Sequence, residues 1–521
     1  MKNLYRHTSI VAVCAVLASC ATQPPEELLA PIEAPAEWTS LSDATSAGSD
    51  QPLPLNWVES FADPTLNSLI LEAMNNNNDL GASAARVRAA RQGFRQVLSG
   101  ALPQVSASVR GNRDDDTGEG FSIDPTAPPV PGSITNFTFN LSGSWEADVW
   151  GRLSDSARAA YRDAAAASLD FDGARLSIAG NVTIGWYNLV SARLQRELAE
   201  RDVETGEANL RITERRYERG VSSSLDVRLA RSSLATSKAS LISRQQTELE
   251  AKRSLEVLLG RYPAAELTTA EELPALASIA NAEGIVVGLG TPESLLDKRP
   301  DVLAAENRLK AEGLRERAAL KAFLPSFRVA ANGIASADEF DNLVDVDDLI
   351  GSIALTITQQ IFAGGRLDAQ KKQQRALVEQ SAYNYVSTVL SAYQEVENAI
   401  AAETLLAARE DALKLAFEEA RASEELTERQ YINGTRNIFN LIQAQQRRIS
   451  NEAQYITARQ QRLINRVQLY MALGGTFDVG EEKFVRGKTN VVEEDDMPLF
   501  SRWWTQVRGD RAEDTTAVGA E

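Results

Sequence analysis

The chain has 521 residues, with 54 Lys and Arg against 72 Asp and Glu, for a formal net charge of −18. Such a surface repels nucleic acid and anionic lipid heads, so neither is expected as a partner. The only histidine and both cysteines (His7, Cys14 and Cys20) lie in the first 20 residues; beyond them no Cys–His or Ser–His nucleophile, disulfide or His/Cys zinc site can be assembled, which makes an enzyme the weaker class.

The chain opens with Lys2 and Arg6, an apolar run from Ile10 to Ala18, then small residues. That is the order and length of a secretory signal peptide, 1–19, and too short for a membrane span. The final "LASC" resembles the lipobox of bacterial lipoproteins, which implies cleavage before Cys20 and a covalent lipid on it. Ala21 rather than Asp follows, which in that class goes with sorting to the outer membrane. Loss of Lys2 and Arg6 takes the net charge from −18 to −20. No other cofactor and no metal is expected, and no later stretch reaches 18 uncharged apolar residues, so any crossing of a membrane falls to strands.

Residues 20–56, rich in Pro and Ala, read as an extended tether. No proline falls between Pro131 and Pro263 or between Pro325 and Pro498, so regular structure belongs there. A first repeat, 57–265, begins with a helix and a hairpin over 101–149. In "TNFTFNLSGSWEADV", Phe137, Phe139, Leu141, Trp145, Ala147 and Val149 fall on one face and polar residues on the other. Long helices follow at 154–218 and 222–259. After a linker at 266–290 a second repeat, 291–477, has a helix, a hairpin at 324–362 and long helices at 366–432 and 436–473. Ile353, Leu355 and Ile357 alternate with Ser352, Ala354 and Thr356 in that hairpin.

The 68 residues between Gly365 and Gly434 hold neither Gly nor Pro. Val386, Val389, Tyr393, Val396 and Ile400 make a coiled-coil seam there. At ~1.5 Å per residue such a helix is roughly 100 Å long. Arg152-Leu153 and Arg366-Leu367, Gly220 and Gly434, and Leu259-Gly260 and Leu473-Gly474 all match at a shift of 214. Three matches at one offset identify an internal duplication; the hairpins repeat at 222, so one loop is eight residues shorter. The acidic loops at 114–125 and 337–348 read as solvated charge or, alternatively, as a cation or calcium site, although no ligand spacing resembles an EF-hand loop. The tail, 478–521, carries "MPLFSRWWTQV", which reads as packing onto a belt around the helices or, alternatively, as a partner contact.

Strands of alternating face fit a membrane barrel, yet four cannot close one, and an open edge has no place in hydrocarbon. Two copies of the chain supply 8 strands and three supply 12, so an oligomer is required. The fold class is therefore mainly α with membrane β, internally duplicated, with four strands per chain.

Four motifs carry a wider resemblance: "WVESFADPTLNSLI" at 57–70, "SLLDKRPDVLAAENRL" at 294–309, the duplicated Tyr-x-x-Gly turns, and "LGG" at 473–475. With them the chain from 20 to about 477 resembles the TolC/OprM family of outer-membrane efflux factors, in its lipidated NodT-like branch. The resemblance implies a homotrimer, a 12-stranded barrel in the outer membrane and a helical barrel across the periplasm. It also implies a periplasmic adaptor and an inner-membrane pump, of the RND type, as partners. The turns at Gly220 and at Asn433-Gly434 become the periplasmic tips, where an adaptor makes contact. Carried over by motif, Asp226, Tyr431 and Arg436 match residues that hold the tips shut. An exposed Arg–carboxylate contact is worth about 1 kcal/mol or less; three copies, at ~3 kcal/mol, bias the closed state about 100-fold. Asn440 and Gln443 stand where the family often has acids at the constriction, which puts strong cation selectivity in doubt. The function implied is a passive, gated export duct for small molecules in a tripartite pump. A type I protein-secretion duct and a purely structural periplasm-spanning lipoprotein are the alternatives.

Overall fold

The structure is a computed structural model, and it describes residues 35, 38–40, 57–115, 133–276, 291–342 and 350–475. The signal peptide, Cys20, most of the tether, most of the acidic loops and the tail lie outside the described residues.

Two helices dominate. α3 (Arg152–Glu218) and α7 (Arg366–Ile432) each have 67 residues, or roughly 100 Å at ~1.5 Å per residue. Both start behind a glycine in the left-handed region, Gly151 (φ 75°) and Gly365 (φ 82°), which lets the chain turn out of the sheet and into the helix. Each is followed by a 35-residue helix, α4 (Ser224–Leu258) and α8 (Ile438–Ala472). These start two residues later than the sequence pattern suggested, because Ser223 and Asn437 act as N-caps. Shorter helices lead into the strands: α1 (Pro64–Asn76) and α2 (Asn78–Ser99) in the first repeat, α5 (Pro292–Leu296) and α6 (Pro300–Lys321) in the second.

The four glycines inside α3 do not break it. A Cβ on Gly180 would collide with the Met471 side chain, so here glycine leaves room for a side chain of α8. α3 is the central helix. It packs between α2 and α6 toward the sheet and between α4 and α8 toward the turns, while α7 covers α6 and α8. One flank of the chain is thus formed by α2 and α4 and the other by α7.

The strands form one antiparallel sheet in the order β1 (Gln104–Asp115), β2 (Ser133–Ala147), β3 (Ser326–Ala337), β4 (Ile350–Thr358). The two hairpins are thereby joined through β2 and β3. The register sets Val109 opposite Phe139, Phe139 opposite Ala335, Trp145 opposite Val329, and Val329 opposite Leu355. One face is therefore apolar from edge to edge, although Ile353 is 83% and Leu355 67% exposed. The other carries Ser106, Ser142, Asn332 and Thr356, with Ile334 and Ile350 among its apolar exceptions. Val149 lies past the end of β2 and adds nothing to the apolar face. At the helix end of the sheet, Trp145 Nε1 donates to the Ala101 carbonyl (3.0 Å) and Trp150 Nε1 to that of Pro325 (2.7 Å). Among the described helices, none is long and apolar enough to cross a membrane.

The core is a belt around the middle of the long helices. Trp57, Leu66, Trp186, Tyr187 and Leu255 form it in the first repeat, and Val389, Val396 and Leu469 in the second. Gly260 (φ 75°) and Gly474 (φ 68°) close α4 and α8 into that belt. A Cβ on Gly260 would lie 2.5 Å from the Asn76 carbonyl oxygen, a backbone atom that cannot swing aside. Gly260→Ala is expected to cost about 2 kcal/mol or more, from left-handed strain plus the clash. Thermal unfolding of the purified protein checks it; an unchanged midpoint rules this account out.

Candidate functional site

The site is built where α3 turns into α4 and α7 turns into α8. Gly220 (φ 72°) and Gly434 (φ 76°) take the left-handed conformation at the two turns. In the first, the Gly220 amide donates to Tyr217 O (2.9 Å) and the Val221 amide to Arg216 O (2.9 Å); the second repeats this with Gly434 to Tyr431 O and Thr435 to Gln430 O. Such bonds satisfy the last helical carbonyls. Asn433 sits at φ −74°, so only the glycine needs the unusual backbone, and Asn433 serves as the C-cap.

The restarts differ. Ser223 and Asp226 form a capping box: the Asp226 amide donates to Ser223 Oγ (3.2 Å), while Asp226 Oδ2 accepts from the Ser223 amide (2.8 Å) and Ser222 Oγ (2.8 Å). The Ser223 amide, more than any other neighbour, holds the Asp226 carboxyl below its ordinary range, with the Arg216 charge contributing. A depressed folded value means that the cap is intact above the usual carboxylate range and weakens as pH falls through that value. At the other turn, Asn437 Oδ1 accepts from the Asn440 amide (3.1 Å). Asn440 occupies the position of Asp226 at a shift of 214. It is half-buried and Gln443, one turn on, is exposed.

Tyr431 is the buried member of the site, 3% exposed, against 49% for its repeat counterpart Tyr217. It packs with Ile438 and Leu441. Its hydroxyl lies 3.2 Å from Thr213 Oγ1. The Arg216 guanidinium stands 5.0 Å from the ring centroid, and its Nη1 donates to the Tyr431 carbonyl oxygen (3.1 Å). Arg216 thus pins the end of α7 to the end of α3 and faces Asp226 on α4. Arg436 is exposed and donates from Nε to Gln430 Oε1 (3.3 Å). Within one chain Arg436 and Asp226 are not in contact.

Sequence reading singled out Asp226, Tyr431 and Arg436 and missed Thr213 and Arg216. A signal existed. "TERRYERG" at 213–220 aligns with "TERQYING" at 427–434, and Arg216 against Gln430 is the one change ahead of the shared tyrosine. Among the described residues no group of acidic, His or Cys side chains could hold a metal.

The profile of one family, described as outer membrane efflux protein, matches residues 69–261 and 291–475, one segment per repeat. The pyoverdine export outer membrane protein OpmQ of Pseudomonas putida is 30% identical over 478 residues, covering 91% of this chain and 98% of OpmQ. The toluene efflux pump outer membrane protein TtgF of Pseudomonas putida is 28% identical, with 91% and 97% covered. Among solved structures, the open state of the Neisseria gonorrhoeae MtrE outer membrane channel superposes with a TM-score of 0.72 at 25% identity, over 88% of this chain and 97% of that one.

Proposed function

The chain belongs to the outer membrane efflux protein family, and from that premise we propose that three copies close into a gated duct for small molecules, the outer-membrane component of a tripartite efflux pump. One observation carries the reading: a sheet with one apolar and one polar face has both edges, β1 and β4, unpaired among the described residues, above helices of roughly 100 Å. The flanks agree from end to end, since β1, α2 and α4 lie on one side and β4 and α7 on the other. A ring of identical copies pairs β1 of one with β4 of the next, leaving no edge in the hydrocarbon. The apolar face then meets lipid and the serine- and asparagine-lined face the lumen.

The helices carry the duct into the periplasm, and the tips around Tyr431 close it. A periplasmic adaptor meets the turns at Gly220 and Gly434, and an RND-type inner-membrane pump supplies the energy. An acyl chain on Cys20 anchors the tether. The Asn440 and Gln443 ring makes the entrance polar and uncharged, so weak ion selectivity follows. Relatives named for pyoverdine and for toluene point to small organic cargo.

The test is reconstitution of the full-length protein in planar bilayers, with its mass measured in detergent by light scattering. Three chains per particle and small, flickering currents are expected. A particle of one chain that never inserts would leave the structural lipoprotein as the better reading.

A further inference from the structure

We propose that Arg447 gives the duct a preference for anions, set one turn inside its entrance, so that small organic anions are the cargo it favours. The proposal rests on the duct reading given above and on which residues share a face of α8. That helix starts at the tip with Ile438 and runs inward. Asn440, Gln443, Arg447, Ser450 and Gln454 recur at steps of three and four and so fall on one face. Whatever Asn440 and Gln443 face, Arg447 faces too, about 6 Å further in than Gln443.

The face is open. Gln443, Arg447, Ser450 and Gln454 are exposed. Ser450 and Gln454 line a groove of about 580 Å³ between α4 and α8. Arg459, about 120° around the helix from Arg447, instead donates from Nη2 to the Leu273 carbonyl oxygen (2.6 Å), so the segment after α4 packs on another side of α8.

Arg447 is the only charged residue of the five, and among the described residues it has no hydrogen-bond or ion-pair partner. Its neighbour Arg448 turns to α7 and holds Glu424 there (2.6 Å) and Glu452 of its own helix (2.8 Å), so those carboxylates are engaged. Asp226 is held in its capping box. The groove adds Arg244 and Arg409 against one carboxylate, Asp202. This face is therefore basic on a chain whose net charge is −18.

A guanidinium stays charged throughout the working pH range, and its fork matches a carboxylate or phosphate. The counterpart of Arg447 at a shift of 214 is Ser233, so three copies place three guanidiniums, not six, around the passage. Asn440 and Gln443 by themselves leave selectivity weak. A ring of one sign in a narrow passage focuses the field and enriches the opposite ion. Salt screens that field over about 10 Å at 0.1 M and about 3 Å at 1 M.

Reversal potentials of the full-length protein in planar bilayers, under a potassium chloride gradient centred on about 0.1 M, test it. Chloride is expected to permeate about threefold or more over potassium, and the preference should shrink near 1 M. Arg447→Lys keeps the charge and should keep the preference. Arg447→Gln should bring the two permeabilities level, and Arg447→Glu should favour potassium. All three replace an exposed side chain, so the fold is left intact. Equal permeabilities in the wild type, or a chloride preference that survives Arg447→Gln, overturn the assignment of Arg447 and leave the duct standing. A protein that never inserts fails the duct reading itself, and the preference falls with it.

Discussion

Arg216→Ala is expected to open the tips, and to do so more than Arg436→Ala. Arg216 makes two contacts with Tyr431, a stacking contact at 5.0 Å and a bond to its carbonyl oxygen at 3.1 Å. A cation–π contact at a half-buried site is worth about 1 kcal/mol, and a hydrogen bond from a charged donor about 1.5 kcal/mol or more. After allowance for solvent, roughly 1–2 kcal/mol per copy is lost, or ~3–6 kcal/mol over three copies, and reversing a 1:99 equilibrium takes about 5.5 kcal/mol. Arg436 is exposed and holds one bond of 3.3 Å to a neutral amide, so its loss moves the balance little within a chain. Single-channel recordings of the two variants should therefore show open occupancy rising by about tenfold or more in Arg216→Ala and severalfold at most in Arg436→Ala. The reverse order would place the restraint between copies, through Arg436 and a neighbour's Asp226, and would sink the assignment of Arg216.

The second large effect concerns stability. Glu403, 3% exposed, accepts from Arg466 Nη2 (2.6 Å), Arg462 Nε (3.2 Å) and Asn465 Nδ2 (3.3 Å) between α7 and α8. Arg462 also reaches Glu410 (3.0 Å), and the buried Arg466, itself 5% exposed, makes the shortest of the three bonds to Glu403. Breaking a buried pair by removing one partner costs about 3–5 kcal/mol, since the remaining charge stays buried. Glu403→Ala is expected to lose that much, seen as a fall of several degrees in the unfolding midpoint. The first repeat shows the apolar solution: the counterpart of Glu403 is Leu189, fully buried. Glu403→Leu with Arg466→Leu should therefore recover most of the loss. A double variant as unstable as Glu403→Ala would mean that the network is needed for more than its charge balance.

How much was legible followed the range of each interaction. The 214-residue repeat, the long helices, the alternating faces of Phe137, Phe139 and Leu141 and the turns at Gly220 and Gly434 are written in local spacing. Helical period, strand alternation and the backbone freedom of glycine act over a few residues, so the sequence alone determines them. Even the need for several copies followed, because four strands of that pattern leave two edges unpaired. The glycines of α3 were harder. Gly180 reads as a weak point until Met471 is seen against it, nearly 300 residues on.

The contacts that decide the site are of that second kind. Nothing in the spacing of Tyr431 says that it is buried while Tyr217 is exposed, or that Arg216 lies across it. Glu403 reads as one of many helical acids. Only the tertiary structure pairs each with its partner, Tyr431 with Arg216 and Glu403 with Arg466. A side chain is drawn to such a partner by burial and by charge in a low-dielectric surround, and both depend on which surfaces the packed helices bring together.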